Sequence, residues 1–164
     1  MAPWLPEAFA YPVQVALATG HHMRPISGDD IDLDYPAVMG SQERLWTIFG
    51  EAWGWPPVTM TREADYTDLV RHAREMVERR SFNYAIFDPG EQALLGCIYI
   101  DPPAKAGADA EICWWVVDAE VGGALDQHLD AFVAGWIADA WPFRAPRLIG
   151  VHLSWADYLM LPDA

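Results

Sequence analysis

The stretch Ala110-Glu-Ile-Cys-Trp-Trp-Val-Val-Asp-Ala-Glu-Val-Gly-Gly-Ala-Leu-Asp-Gln-His-Leu129 joins a strand pattern to a helix pattern. The apolar run 111–117 predicts a buried strand, and apolar residues at helical spacing after Gly123 predict a long amphipathic helix. Two glycines form the turn between them. Such a junction directs unpaired backbone N–H groups and the positive end of a helix dipole beyond the strand's carboxyl end. The pattern therefore favours a phosphorylated cofactor.

The charges around this turn oppose that interpretation. Asp118, Glu120 and Asp126 flank it, with no Lys or Arg nearby in the sequence. A carboxylate ~4–6 Å from a pyrophosphate costs on the order of 1–3 kcal/mol after screening. A helix terminus typically contributes only about 0.3–1 kcal/mol. The conflict shrinks if Asp118 caps the helix and Glu120 turns outward, and the sequence leaves both arrangements open.

Composition predicts a folded chain with an acidic surface. The 164 residues are 52% hydrophobic and include nine tryptophans, which excludes general disorder. We expect an N-terminal extension or strand at 1–19 and a single domain at 20–164. The net charge of −14 disfavours nucleic acid and anionic membranes and favours a small-molecule amine or other cationic substrate, although it could serve solubility alone.

The sequence also predicts a cytoplasmic location. No apolar run reaches the ~20 residues of a membrane span, and the N-terminus lacks the basic and apolar regions of a signal peptide. Cys97 and Cys113 fall in predicted strands, where we expect buried, reduced thiols. His72 shares a helix face with Asp68 and Glu75, but solvated ion pairing explains that spacing as well as metal binding does, so we expect no metal.

The remaining pattern predicts an α+β fold with a mixed, mostly antiparallel sheet flanked by helices. The strand 111–117 and a final strand lie parallel through a helical crossover. The predicted elements are strands at 13–18 and 20–26, helices at 35–49 and from Thr61 to Ser81, strands at 82–87, 93–100 and 111–117, a helix after Gly123 and a strand at 147–154.

Several segments in this order resemble the GNAT superfamily of acyl-CoA-dependent N-acyltransferases. They are Met23-Arg-Pro-Ile, Asp29-Asp30, Phe82-Asn-Tyr-Ala-Ile-Phe-Asp, Leu94-Leu-Gly-Cys-Ile-Tyr-Ile and Ala110-Glu-Ile-Cys-Trp-Trp-Val-Val. The likeness extends to an uncharacterised bacterial subgroup of N-acetyltransferase-like proteins. It implies acetyl-CoA, or another acyl-CoA, as cofactor. It also implies that the backbone of Val116 and Val117 binds pantetheine. The N–H groups implied for the pyrophosphate are those of Val121, Gly122, Gly123 and Ala124.

The resemblance further implies transfer of an acetyl group to a primary amine whose identity is open. Acyl transfer needs a base for the amine proton and an acid for the leaving thiolate. The resemblance places Glu111 as the base, and the alternative is an ordinary strand-end carboxylate in water. It places Tyr158 as the acid, with Ser154 as an alternative. Tyr84, Tyr99, Trp114 and Trp115 either line the acceptor pocket or pack in the core.

Two departures leave a second function open. The turn after 117 is short and acidic, and only about ten residues follow the last predicted strand, so the family's usual fourth helix and closing hairpin are missing or rebuilt. The alternative is a catalytically inactive GNAT-like binding or assembly module. A homodimer, in which a partner chain completes the sheet edge, is compatible with either function.

Overall fold

The computed structural model describes residues 3–164, so the first two residues of the predicted N-terminal extension lie outside it. Within that range the chain forms a mixed six-stranded sheet with helices on both faces. No helix in that range is both long and apolar enough to span a bilayer. The elements are β1 Val15–Ala16, β2 His22–Pro25, α1 Ile31–Gly40, α2 Gln42–Trp53, α3 Arg62–Val77, β3 Phe82–Phe87, β4 Leu94–Asp101, β5 Ala110–Val116, α4 Ala124–Ala140, β6 Pro146–Leu148 and α5 Trp155–Leu159.

The strands lie in the sheet in chain order, β1 to β6. Neighbours pair antiparallel from β1 to β5, and β5 pairs parallel with β6 after the α4 crossover. The predicted fold class and the parallel final pair are confirmed. The α3 helix starts after Thr61, whose side chain accepts from the Ala64 N–H, as its N-cap position predicts.

Each face of the sheet carries its own apolar core. Strand alternation turns Ile98 and Ile100 towards the core that α4 covers, and Cys97 and Tyr99 towards the core under α1, α2, α3 and α5. The N-terminal segment packs on the α4 side, where Leu5 is 3% exposed. The division of the chain into an extension and one domain stays a prediction.

Two predicted elements differ from the structure. The helix predicted at 35–49 is two helices, because Gly40 and Ser41 interrupt the pattern with residues of low helix propensity. The strand predicted at 147–154 stops at Leu148. The chain then turns through Gly150, whose φ of +88° favours glycine, and begins α5 after Ser154.

The parallel pairing of β5 and β6 is short, and this opens the sheet. It covers Ala110 to Ile112, followed by one hydrogen bond of 2.9 Å from the Ile149 N–H to the Ile112 carbonyl. Beyond this bond β5 continues to Val116, whereas the segment that follows β6 turns away from it. We call the space beside β5 from Cys113 to Val116 the gap.

Candidate functional site

The backbone of β5 presents alternate residues to the gap. The Ile112 carbonyl faces β6, so the backbone groups of Trp114 and Val116 point to the same side. The Val116 carbonyl accepts from the Arg44 guanidinium. The Val117 N–H donates to the Leu95 carbonyl at 2.9 Å, which directs it to β4. Of the two valines implied for pantetheine, only Val116 therefore presents its backbone to the gap.

The turn into α4 uses several of its own N–H groups. The Gly122 N–H donates to the Asp126 carboxylate at 2.8 Å, and that of Gly123 donates to the Glu120 carbonyl at 2.9 Å. The Val121 N–H has a longer bond of 3.3 Å to Asp118. Within residues 3–164, the N–H groups of Ala124, Leu125 and Asp126 have no acceptor recorded. The first turn of α4 is therefore the open donor set, and Gly122, with a φ of +74°, shapes the approach to it.

Arg44 brings a positive charge to this acidic turn. Its Nε lies 2.5 Å from the Asp118 carboxylate, although the two residues are 74 positions apart in the chain. The side chain projects from α2, next to the helix break at Ser41, whose hydroxyl accepts from the Asp118 N–H at 2.9 Å. The sequence pattern contained no signal for this pair, because only the packing of α2 beside the end of β5 creates it. The turn is less acidic than its own sequence suggests.

Glu111 lies at the base of the gap and accepts four hydrogen bonds. They come from the N–H groups of Ala104 and Lys105 at 3.1 Å each, from Arg147 at 3.0 Å and from the Tyr158 hydroxyl at 2.7 Å. The carboxylate is 6% exposed. Four donors satisfy most of its lone pairs, so this environment suits an anchor for Tyr158 and Arg147.

Tyr158 and Ser154, the two candidate acids, have different environments. Burial, followed by the hydrogen bond to the Glu111 carboxylate, raises the pKa of Tyr158 well above its usual range. The phenol therefore keeps its proton at neutral pH. The Ser154 hydroxyl accepts from the Asp157 N–H at 3.0 Å and caps α5. Of the two, Tyr158 lines a cavity beside Glu111.

Two neighbouring cavities lie on the α1–α3 side of the sheet. The larger, of about 850 Å³, lies between α1, α3 and the strands β3 and β4. The smaller, of about 210 Å³, is lined by Glu111, Cys113 and Tyr158. Trp53 and Asp101 border both. The base of the gap therefore lies next to a space large enough for a small molecule.

Asp101, the last residue of β4, is the titratable group that the two cavities share. It lies directly opposite Glu111 in the antiparallel pair and accepts from the Ser81 hydroxyl. Burial raises the pKa of Asp101 to about 6. Sequence reasoning missed it, because an Asp followed by two prolines is also the ordinary signal for the end of a strand.

The residues expected to line the acceptor pocket separate onto the two faces. Tyr99 lines the larger cavity, and its hydroxyl accepts from the Trp115 indole at 2.8 Å. Tyr84 and Trp114 lie on the opposite face, where the Tyr84 hydroxyl donates to the Pro12 carbonyl at 2.6 Å. His72 also lines the larger cavity, and burial lowers its pKa to about 4. Among residues 3–164 no group of three or more His, Cys, Asp or Glu could hold a metal ion.

Comparison with solved structures reveals consistent similarity in fold at low sequence identity. A ribosomal L7/L12 alpha-N-protein acetyltransferase in complex with coenzyme A aligns at a TM-score of 0.59 and 14% identity, over 75% of this chain and 67% of that one. The acetyltransferase of Salmonella typhimurium that modifies the N-terminal serine of L7/L12 aligns at 0.58 and 13%, over 78% and 70%. The ribosomal-protein-S5-alanine acetyltransferase of Vibrio fischeri aligns at 0.55 and 13%, over 77% and 68%.

No protein-family model matches the sequence, and no curated protein matches it significantly. The structural matches agree with a mixed sheet that is flanked by helices. The chain has the fold of the GNAT acyl-CoA N-acyltransferases.

Proposed function

We propose that this protein transfers an acyl group from an acyl-CoA, acetyl-CoA in the first instance, to a primary amine. The observation that carries the proposal is the gap beside β5, which has the open N–H groups of α4 at one end and two linked cavities with Asp101, Glu111 and Tyr158 at the other. A thioester and an amine that enter from the two ends would meet at the gap. Both cysteines are buried free thiols, which supports a cytoplasmic location.

The residues present fit an acyl-CoA at the turn before α4. The N–H groups of Ala124, Leu125 and Asp126 offer donors to a pyrophosphate, and Gly122 permits close approach. The N–H groups of Val121, Gly122 and Gly123 become available to the pyrophosphate only when their present hydrogen bonds open. Arg44 offsets part of the negative charge of the turn. When bound, the acyl-CoA supplies the activated acyl group.

On the acceptor side, we assign the base to Asp101 and an anchoring role to Glu111. With a pKa near 6, the Asp101 carboxylate is ionised at neutral pH and close to the value that suits proton uptake from an ammonium group. Glu111 holds Tyr158 and Arg147 through its hydrogen bonds. Tyr158 keeps its phenolic proton and donates it to Glu111 beside the smaller cavity, so this hydrogen bond opens before the phenol serves as the acid for the leaving thiolate.

Calorimetric titration with acetyl-CoA tests the cofactor site. We expect saturable heat, reduced by Arg44→Gln, which removes the positive charge beside Asp118. Asp139→Asn, on the exposed side of α4, serves as the control variant and leaves the binding unchanged. An absence of heat at millimolar acetyl-CoA would contradict the proposal.

A second function, a GNAT-fold binding module without turnover, has one observation in its favour. The Arg44 guanidinium donates a hydrogen bond to the Val116 carbonyl that faces the gap, and the Asp126 carboxylate accepts one from the Gly122 N–H. These contacts would have to open before pantetheine and pyrophosphate bind. Saturable acetyl-CoA binding without release of free thiol in the presence of amines would favour this function.

The acceptor class also has two alternatives. The aligned structures are described as acetyltransferases of ribosomal proteins, which favours a protein N-terminus as the amine. The acidic cavity beside Asp101 favours a small cationic molecule. Assays with a peptide amine and with small amines separate them. A homodimer stays a prediction that light scattering tests.

A further inference from the structure

The larger cavity lies between α3 and β4. Among the residues of α3 that line it, four titratable ones follow one another at spacings of three, four and three positions, which place them on one face of the helix. Alternate residues of β4 line the opposite wall. These residues are Asp65, Asp68, His72 and Glu75 of α3, and Cys97, Tyr99 and Asp101 of β4.

Carboxyl groups lie at both ends of this cavity. Asp34 of α1 is beside Asp65 at one end, and Glu75 is near Asp101 at the other, as their mutual electrostatic effects show. Because an α-helix rises 1.5 Å per residue, Asp65 and Glu75 are separated by about 15 Å along α3. The second end borders the smaller cavity with Glu111 and Tyr158.

We call the end of the cavity at Asp34 and Asp65 the inner end. The Oδ1 atom of Asn83, a residue that pairs with Tyr99 and is 3% exposed, has no hydrogen-bond partner among residues 3–164. The Oδ2 atom of Asp65, a residue that is 2% exposed, has no donor there other than the proton that Asp65 shares with Asp34. Both residues line the cavity. A polar group that is buried unpaired costs free energy, so Asn83 indicates a ligand that donates a hydrogen bond to the cavity wall.

No positively charged group of the described chain neutralises the carboxyl groups at the inner end. Arg71 is the one Lys or Arg among the described lining residues, and it binds Asp68 and Glu75 instead. His72 is neutral because burial lowers its pKa to about 4. The carboxyl groups at the inner end of the cavity therefore have no cationic partner among the described residues.

The walls between the two ends are aromatic. Trp53, Trp55 and Tyr99 line the cavity, and the rings of Trp53 and Tyr99 are 5.4 Å apart at their centroids. Aromatic faces accommodate methylene chains and attract ammonium groups through cation–π interactions. An apolar chain with a cationic group at each end matches this sequence of surfaces.

We propose that the larger cavity binds a linear aliphatic polyamine, with one ammonium group beside Asp34 and Asp65, a nitrogen along the chain hydrogen-bonded to Asn83, and another ammonium group near Asp101. The proposal rests on the proposed function for the acylation of the amine near Asp101, which lies at the end nearest Tyr158. The distal ammonium group acts as the specificity contact. A monoamine fills one end only, so it binds more weakly.

Binding at the inner end should also release a proton. Two buried carboxyl groups side by side cannot both ionise cheaply, and burial together with the Asp65 charge raises the pKa of Asp34 well above its usual range. An ammonium group that enters between them replaces that proton. One proton is therefore released to solvent for each ammonium group that binds between the two carboxyl groups.

Calorimetry without acyl-CoA tests the proposal, with spermine as the polyamine and butylamine as the monoamine. We expect spermine to bind at least about tenfold more tightly than butylamine, as one added charge-assisted hydrogen bond provides. Repeating the titration in buffers of different ionisation enthalpy should reveal proton release. Asp65→Asn should lose about tenfold in spermine affinity, and the control Asp139→Asn should keep the original affinity.

Three outcomes would overturn the proposal: no spermine binding, equal affinity for the two amines, or unchanged spermine affinity in Asp65→Asn that a circular-dichroism spectrum shows to be folded. A lysine-rich peptide that binds when spermine does not would assign the cavity to a protein acceptor. Saturable acetyl-CoA binding together with absent spermine binding would refute this inference alone. Spermine binding with absent acetyl-CoA binding would refute the proposed function alone.

Discussion

Asp101 and Glu111 lie opposite each other on neighbouring strands, and their surroundings assign them different tasks. Glu111 accepts four hydrogen bonds, whereas Asp101 has the Ser81 hydroxyl as its one recorded side-chain donor among the described residues. Paired acids whose environments differ in this way often divide into a structural and a catalytic group. The difference in hydrogen bonding therefore separates the anchor from the base.

We predict that Asp101→Asn lowers kcat by roughly 10²–10⁴-fold, the usual contribution of a general base, while the fold remains. The amide keeps an acceptor for Ser81 but cannot take a proton. Glu111→Gln should instead destabilise the fold by about 3 kcal/mol, because it leaves the half-buried Arg147 without its anionic partner. Urea denaturation and steady-state kinetics separate the two effects. Full activity in Asp101→Asn would contradict the assignment.

A second prediction concerns Asp65 and pH. Burial raises the pKa of Asp65 from 3.8 to about 6, so the folded state holds its proton more tightly than the unfolded state does. Stability from this group is therefore present below pH 4 and is lost as pH rises through 6. Asp65→Asn should be more stable than the original protein by about 1–2 kcal/mol at pH 8 and equal to it near pH 4.

The other groups around Asp65 are the same in both proteins. They are Asp34 of α1, Asp68 and His72 of α3, and Cys97 of β4. The contributions of Asp68, His72 and Cys97 largely cancel in the difference between the two stabilities, which thermal unfolding at several pH values measures. Asp34 does not cancel, because Asp65→Asn also removes the charge that raises the pKa of Asp34, and this adds to the stability gained at pH 8. Asp139→Asn should show no such pH-dependent difference. A less stable Asp65→Asn at pH 8 would mean that the carboxylate has a partner in the fold.

At the scale of elements, the backbones of β4 and β5 approach each other closely next to the gap. Gly96 pairs with Val116, and a Cβ atom at Gly96 would lie 2.1 Å from the Trp115 carbonyl oxygen. No side chain fits there unless β5 moves. The strand that lines the gap is therefore held in place by a glycine of its neighbour.

Gly96→Ala should destabilise the protein by about 1–3 kcal/mol, the range for overpacking of a tight core. Gly135→Ala is the matched control, since a Cβ atom there meets nothing within 4 Å. In the α4 interior this change should stabilise by about 0.5–1 kcal/mol. Urea midpoints measure both. Equal midpoints for the two variants would refute the close packing inferred here.

The sequence predicted elements better than it predicted the site. The bounds of β3 and the start of α4 follow from strong local signals, namely an aromatic run that ends at Asp88-Pro-Gly and a helix that follows two glycines. The break at Gly40 and Ser41 follows from two residues of low helix propensity, and packing adds the hydrogen bond between Ser41 and the turn before α4. Arg44, Asp65 and Asp101 reach the gap and the cavities from three different elements. Local pattern carries no information about such a meeting of distant residues.

At the scale of the whole molecule, the net charge of −14 acts together with the cavity. A negative surface attracts cations over several ångströms in dilute salt, and at about 1 M salt the Debye length falls to ~3 Å. We predict that spermine affinity falls steeply with added sodium chloride and that butylamine affinity falls less. Calorimetry across a salt series measures both. A salt-independent spermine affinity would exclude electrostatic recognition.

The central claim is that the gap beside β5 supports transfer of an acyl group to an amine. The most direct measurement incubates the protein with acetyl-CoA and a panel of amines and follows the free CoA thiol, with Asp101→Asn as the inactive reference. We predict thiol release that requires both the protein and an amine, is stronger with spermine than with butylamine, and is lost in Asp101→Asn. Thiol release no faster than in buffer, from protein that binds acetyl-CoA, would contradict the account.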